Sequence, residues 1–138
     1  MAKHILYDAS LTVNGVDLSD HVESISLVAT TNGQAAAAMS ELNDYEMPGT
    51  LKLSDVTATF YQDYASAKVY ATLQAAWAAR TTFNIVAKPT SAAASATNPQ
   101  WTIPVFVKTH PVMSATRGAR HMTPVVFAIA GAHSISAP

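Results

Sequence analysis

The sequence predicts a mainly β protein, an antiparallel β-sandwich or barrel of about seven strands with one flanking α-helix near residues 65–80. Three observations carry this. An Asn-Gly pair sits between two short apolar runs, the strongest short-range signal for a hairpin. Alternating apolar residues recur along most of the chain. Helical spacing is clear in one stretch only, between two strand patterns in residues 50–89, and an order of strands, helix, strands does not suit a doubly wound α/β sheet.

The first hairpin comprises residues 11–13 and 16–18 around Asn14-Gly15, whose residues accept the positive φ of a type I′ turn. Residues 22–30 read as one strand, with Ile25 and Leu27 on one face and Ser24 and Ser26 on the other. Residues 31–49, TNGQAAAAMSELNDYEMPG, lose the pattern, and Asn32-Gly33 and Pro48-Gly49 bracket them as breakers. A connection this long in a small domain is usually functional or disordered. Its Met39, Leu42, Tyr45 and Met47 favour an arm that orders on a partner subunit; a short surface helix over residues 35–42 is the alternative.

Leu51, Leu53, Val56, Ala58 and Phe60 alternate along residues 50–61 once a one-residue offset at Ser54 and Asp55 is allowed, the mark of a bulged strand. Asp63 is the expected N-cap of the helix, and Val69, Leu73, Ala76 and Trp77 share one helical face; Val69, Leu73 and Trp77 are the expected helix-sheet contacts. Thr82, Phe83, Ile85 and Val86 return the chain to strand. Residues 90–99 are small and polar, a second loop expected to be mobile. Trp101, Ile103, Val105 and Val107 alternate with polar or bulky neighbours, and Pro104, which donates no ladder bond, argues for an edge strand or a bulge. Residues 123–129 supply the last strand, with Val125, Phe127 and Ile129 on one face, and residues 131–138 are expected to fray.

At 138 residues the chain is expected to form one domain, residues 1–138, with a single core. Charged residues are only 12%, against roughly 25% in ordinary soluble domains, which points to surface covered by neighbouring subunits; a plain domain with a bland surface is the alternative. All nine acids lie between Asp8 and Asp63, and within residues 1–63 Lys3 and Lys52 oppose them to give −7. Residues 64–138 carry Lys68, Arg80, Lys88, Lys108, Arg117 and Arg120 and no acid, giving +6. Folded onto different faces, the two halves would make head-to-tail contacts complementary; intermixed, they would only solvate the surface.

The absence of cysteine excludes a disulfide framework and thiol chemistry, and suits a reducing compartment. No apolar run reaches the roughly 18 residues of a membrane span, and MAKHILYDAS is too short in its apolar part for a secretory signal, so the mature chain is expected to begin near Met1. His4, His21, His110, His121 and His133 lack close ligand spacing, Ser114 and Ser134 lack a nucleophile context, and the five glycines form no phosphate-cradling loop. Asp17, Asp20 and Glu23 lack the glycine and terminal glutamate of a calcium loop. No catalytic, metal or cofactor site is expected. Arg117, Arg120 and His121 are too few to grip a nucleic-acid backbone.

Taken together, VNGVDLSDHVESISL (residues 13–27), a long loop closing on MPG, FYQDYASAKVYATLQAAW (residues 60–77) and FNIVAKPTSAAASATNPQW (residues 83–101) resemble the tail tube (major tail) proteins of long-tailed bacteriophages with non-contractile tails. The resemblance covers about residues 11–101. It implies a β-sandwich or barrel with one flanking helix, stacked hexameric rings forming a tube for genome passage, and no catalytic residues. It further implies a virion location with assembly in the host cytoplasm. The expected partners are other copies of the chain, the tape measure, tail-tip and terminator proteins, and DNA that traverses the lumen without specific binding, with no membrane involved.

Combined with the charge pattern, the resemblance makes Met39, Glu41, Leu42, Asp44, Tyr45, Glu46 and Met47 the candidate intersubunit arm. Lys88, Lys108, Arg117 and Arg120 are candidates for the basic side of such contacts, and Asp17, Asp20, Glu23 and Asp55 for an acidic lumen that does not hold phosphates. The alternative is a tail-terminator, tail-associated or capsid-decoration module with the same fold.

Overall fold

A computed structural model describes residues 7–136. The expectations for the start of the chain, Lys3 and His4 included, and for residues 137–138 lie outside the described residues. Ten strands and one helix occur among those described: β1 Ser10–Val13, β2 Val16–Asp17, β3 Val22–Ser26, β4 Ala29–Ala35, β5 Glu46–Leu53, β6 Val56–Tyr61, α1 Val69–Ala79, β7 Phe83–Lys88, β8 Gln100–Thr109, β9 Met122–Ile129 and β10 Ser134–Ser136. Eight of the strands form one antiparallel sheet in the order β2-β1-β7-β8-β9-β6-β3, with β10 also on β8; β4 and β5 pair only with each other. The mainly β, barrel-like architecture with a single helix is as the sequence predicts.

The core follows from the period of two. Leu11 and Val13, Val56, Ala58 and Phe60, Phe83 and Ile85, Ile103 and Val105, and Val125 and Phe127 all point to one side of the sheet and are buried. Phe127 lies opposite Val56 on β6 and Val107 on β8, and its ring meets Phe83 edge-on at 6.0 Å. The Asn-Gly turn is present as expected, with Asn14 at φ 49° and Gly15 at φ 80° joining Val13 to Val16.

Several boundaries differ from the sequence expectation. Residues 22–30 are not one strand, because β3 ends at Ser26 and β4 begins at Ala29. The offset at Ser54 and Asp55 is likewise not a bulge within a strand: β5 and β6 flank it, and the Ser54 amide donates to the Val28 carbonyl at 2.8 Å. Both chains of the ribbon thus turn at the same level, and β4–β5 leaves the main sheet as an extension of the β3–β6 pair. Residues 31–49 form no helix over residues 35–42; their two ends enter β4 and β5, residues 36–45 connect them, and the breakers Gly33 and Pro48 face each other across the β4–β5 ladder. Gly49 is needed there, since a β-carbon would lie 2.7 Å from the Asn32 carbonyl oxygen.

The helix starts at Val69, six residues after Asp63, with Lys68 at its N-cap and no capping side chain. Asp63 caps the preceding turn instead, accepting from the Ala65 amide at 2.9 Å through its side chain and from the Tyr70 amide at 3.0 Å through its carbonyl. Val69 and Leu73 pack on the core as expected, joined by Thr72 and Ala76. Trp77 does not anchor the helix: it is 50% exposed, because the buried stripe runs 69, 72, 73, 76 and leaves residue 77 on its flank.

β8 is not an edge strand, as it lies between β7 and β9. Pro104 is tolerated because its carbonyl accepts from Ala130 at 2.8 Å where the chain leaves β9, so its missing N–H faces the departing turn, and a β-carbon on Gly131 would lie 3.2 Å from its ring. Residues 134–136, in the stretch expected to fray, form β10, with Ile135 opposite Trp101. The loop at residues 90–99 is closed around Asn98, which is buried. The Asn98 amide group donates to the carbonyls of Ala92 at 2.9 Å, Ala93 at 3.3 Å and Thr90 at 3.4 Å, and its side-chain oxygen accepts from Thr90 N–H at 3.0 Å. Asn98→Ala is expected to cost about 1–3 kcal/mol by orphaning these groups. Denaturant unfolding checks it, and a variant as stable as the parent would show the loop to be held by other contacts.

Candidate functional site

Two features stand out from the sheet that supports them: a projecting arm and an apolar cleft at the arm's base. The arm is the β4–β5 hairpin. Its strands form a ribbon of seven and eight residues, about 23 Å long at roughly 3.3 Å per residue. Nearly every residue of both strands is exposed, and neither outer edge carries a partner strand among the described residues. A lone two-stranded ribbon is marginal in water and its open edges invite another chain.

Of the predicted arm residues, Met39 and Leu42 stand fully exposed in the connecting tip, with Met47 on β5 and Tyr45 beside it also exposed. Glu41 organises the tip, its carboxylate accepting from Ala38 N–H at 2.6 Å and from the Tyr45 hydroxyl at 3.2 Å. Glu46 lies over Gly33, whose missing β-carbon leaves the room for its carboxylate. Asp44 is exposed in the tip. Leu51, 85% exposed on β5, belongs with this apolar surface, although its alternation with Leu53 and Val56 reads as part of a bulged strand.

The candidate lumen acids each have a partner within the chain. Asp55 pairs with Lys108 at 2.8 Å and Glu23 with Arg120 at 3.4 Å. The Arg120 guanidinium also donates to the Tyr61 hydroxyl at 2.9 Å and lies over that ring. The two halves of the sequence are therefore interleaved at these points rather than segregated to separate faces. Being more than a third exposed, both pairs contribute about 0–1 kcal/mol each. Asp17 accepts from the Ser19 hydroxyl and, at 3.0 Å, from the Ser19 amide, which hold its carboxyl below the usual range. Arg117 is exposed in the Gly118 turn, and Lys88 donates to the Ala92 carbonyl at 3.0 Å. Neither has a carboxylate partner among the described residues.

Asp20 joins a cluster that spacing alone did not reveal. Its carboxylate lies 2.7 Å from His21 Nδ1, while His21 Nε2 lies 2.8 Å from Asp63, 42 positions away. The Asp20 hydrogen bond, with that of Asp63, raises the imidazole above its ordinary 6.5 despite burial. Asp20 is lowered by the His21 contact, and Asp63 by the Ala65 amide and then His21. The histidine's contribution is complete below about pH 6.5 and is lost as pH rises through its raised folded value; that of the carboxylates is present above about 3.8 and lost as pH falls through their lowered values. His21→Gln is thus expected to destabilise most between about pH 4 and 6.5, with the gap to the parent narrowing at pH 9. Urea unfolding at pH 5 and pH 9 tests this, and an equal gap at both would remove the ionic strut.

His110, lowered by burial, and His121 lie beside Tyr70 and Tyr64, whose rings are 5.1 Å apart. Among the described residues no three His, Asp or Glu side chains converge as metal ligands, and no helix is long and apolar enough to cross a membrane.

The cleft opens where the sheet's margins curl together, between β3 on one side and β1, the end of β7, β8 and β10 on the other. It has a volume of about 390 Å³ and is walled by Leu11, Val22, Ile25, Trp101, Ile103 and Ile135. No sequence signal marked it, because its walls come from strands far apart in the chain and Ile135 lies in the stretch expected to fray.

An antiparallel barrel-like sheet with one helix defines a structural class, and solved structures share this chain's fold over 85–99% of its length. This fold is similar to a chain from a cryo-EM structure of an extracellular contractile injection system, the PVC sheath/tube terminator in its extended state, at TM-score 0.69 and 14% identity, covering 99% of each chain. It is similar to a chain of the virion of a native gene transfer agent particle at TM-score 0.68 and 7% identity, covering 94% of this chain and 96% of that one. A chain from the tail of the empty gene transfer agent particle, refined with C6 symmetry, aligns at TM-score 0.64 and 8% identity over 85% and 83%. No protein-family model and no curated protein matches the sequence.

Proposed function

We propose that this protein is a structural, non-catalytic component of a phage-like tail that self-assembles into stacked, hexameric rings forming the tail tube through which a genome passes. The observation that carries the reading is the β4–β5 arm, an exposed ribbon with apolar residues at its tip and two open edges. Such an element is explained by a neighbour to pair with. Near full-length likeness to chains from tail and injection-system particles supports the same reading. In this assembly the arm bridges subunits, Lys88 and Arg117 remain available for basic contacts, and some of Asp17, Asp20, Glu23 and Asp55 face the channel to keep DNA from adhering. The expected partners are other copies of the chain and the tape measure, tail-tip and terminator proteins. The assignment to a non-contractile tail rests on the sequence resemblance, since the similar folds include one from a contractile system.

A second reading is a tail terminator, favoured by the end-to-end likeness to a chain of the sheath/tube terminator structure. Negative-stain electron microscopy of the purified protein separates the two. Hollow tubes of many stacked rings are expected; single rings would favour the terminator, and small monomeric particles would overturn the self-assembly on which both depend.

A further inference from the structure

We infer that the apolar cleft between β3 and β1/β8/β10 is the receptor for the arm tip of a second copy of this chain, with Leu42 and Met39 as the inserted side chains. The inference rests on the reading of the protein as self-assembling and names the contact that would drive it.

Two surfaces need covering. Met39 and Leu42 are fully exposed on the tip, an apolar pair whose removal from water favours association. The cleft presents Leu11, Val22, Ile25, Trp101, Ile103 and Ile135 around about 390 Å³, an opening in the size range of sites that receive a discrete apolar group.

Geometry excludes a contact between the two within one chain. Leu27, Ala29 and Leu53, at the base of the arm, line the cleft themselves. The tip stands beyond seven residues of β4, about 23 Å of extended strand, and the ladder from Ala29–Leu53 to Ala35–Glu46 keeps the ribbon from folding back. The knob and its hole are at opposite ends of one element, so a tip that fills the hole must come from another copy. Charge agrees with the fit: Asp44 and Glu46 flank the tip, while the cleft wall contains Lys88 and His133 and, among the described residues, no carboxylate. The Lys88 ammonium donates to two backbone carbonyls, at 3.0 and 3.5 Å, and meets no carboxylate among the described residues, so its charge is left for an acidic partner.

Different surfaces meeting in this way form a heterologous contact, which closes into a ring or propagates as a filament. One contact type therefore supplies either the ring, in which every cleft is filled, or the stacking interaction, in which only a terminal layer keeps its clefts open.

The absence of native cysteine permits a direct test. Leu42→Cys is placed in a chain enlarged by a tag and Ala87→Cys, in the cleft wall, in an untagged chain, and the two are co-assembled and oxidised. The expected result is a disulfide-linked dimer of mixed size, at least several-fold above either same-size dimer. Leu42→Asp, fully exposed and without effect on the fold, is expected to reduce polymer at least tenfold while circular dichroism stays unchanged. Normal rings or tubes without the mixed dimer, or full polymerisation of Leu42→Asp, would overturn the inference and leave the tail reading standing. Crosslinking of Ile5→Cys to Ala87→Cys within one chain, in place of the mixed dimer, would give the cleft to the chain's own first residues and overturn the inference. A parent protein that forms no assembly would overturn both.

Discussion

Phe127→Ala is expected to lower the unfolding free energy by about 3–5 kcal/mol, the range for removing a buried aromatic ring. Phe127 is fully buried at the centre of the sheet, flanked by Val56 and Val107 and in edge contact with Phe83. The barrel cannot collapse around the void, since its walls are strands held by ladders on both sides of β9. Against a total stability of about 5–15 kcal/mol, a loss of this size leaves a marginal fold. Trp77→Ala removes a larger side chain that is half exposed and should cost less, about 1 kcal/mol or under. Thermal and urea unfolding of both variants give the comparison, and a Trp77→Ala loss as large as that of Phe127→Ala would restore the tryptophan as an anchor of the helix.

Charge reversal at Glu41, Asp44 and Glu46 is expected to abolish polymer without unfolding the barrel. The three residues lie on the arm, away from the core cluster. In the proposed assembly, where a basic neighbour faces them, reversing them turns attraction into repulsion, a swing of several kcal/mol where charges are close. Each 1.4 kcal/mol is about a tenfold change in association. Glu41 also binds Ala38 N–H and the Tyr45 hydroxyl, so Asp44→Lys alone isolates the charge effect from the shape of the tip and should weaken assembly in the same direction. Sedimentation and electron microscopy report the outcome, and tubes of normal length from the triple variant would refute the arm's role.

The elements that were legible share a property: their signal is local. The turn at Asn14-Gly15 is set by two residues that tolerate positive φ. The inward faces of β6, β7, β8 and β9 announce themselves by alternation because each strand buries one side. The arm was legible as an anomaly, a stretch rich in exposed apolar residues, although not as a hairpin. Its strands have no buried face and hence no period of two to detect. Trp77 was misplaced because a helix of three turns has too few positions to separate a buried stripe from its flank. Pro104 pointed to an edge because the sequence does not show that β9 departs beside it.

The sequence by itself determined that the chain builds a β-rich core with one helix, and that residues 31–49 stand apart from that core. Composition and periodicity reflect burial, and burial separates these two classes of residue. Only the tertiary structure decided which acids meet which bases, that His21 bridges Asp20 and Asp63, and that β1, β3, β8 and β10 enclose an apolar cleft. Apart from the adjacent Asp20 and His21, those pairings join residues tens of positions apart, and their energies depend on distance in space, which curling of the sheet sets and spacing along the chain does not.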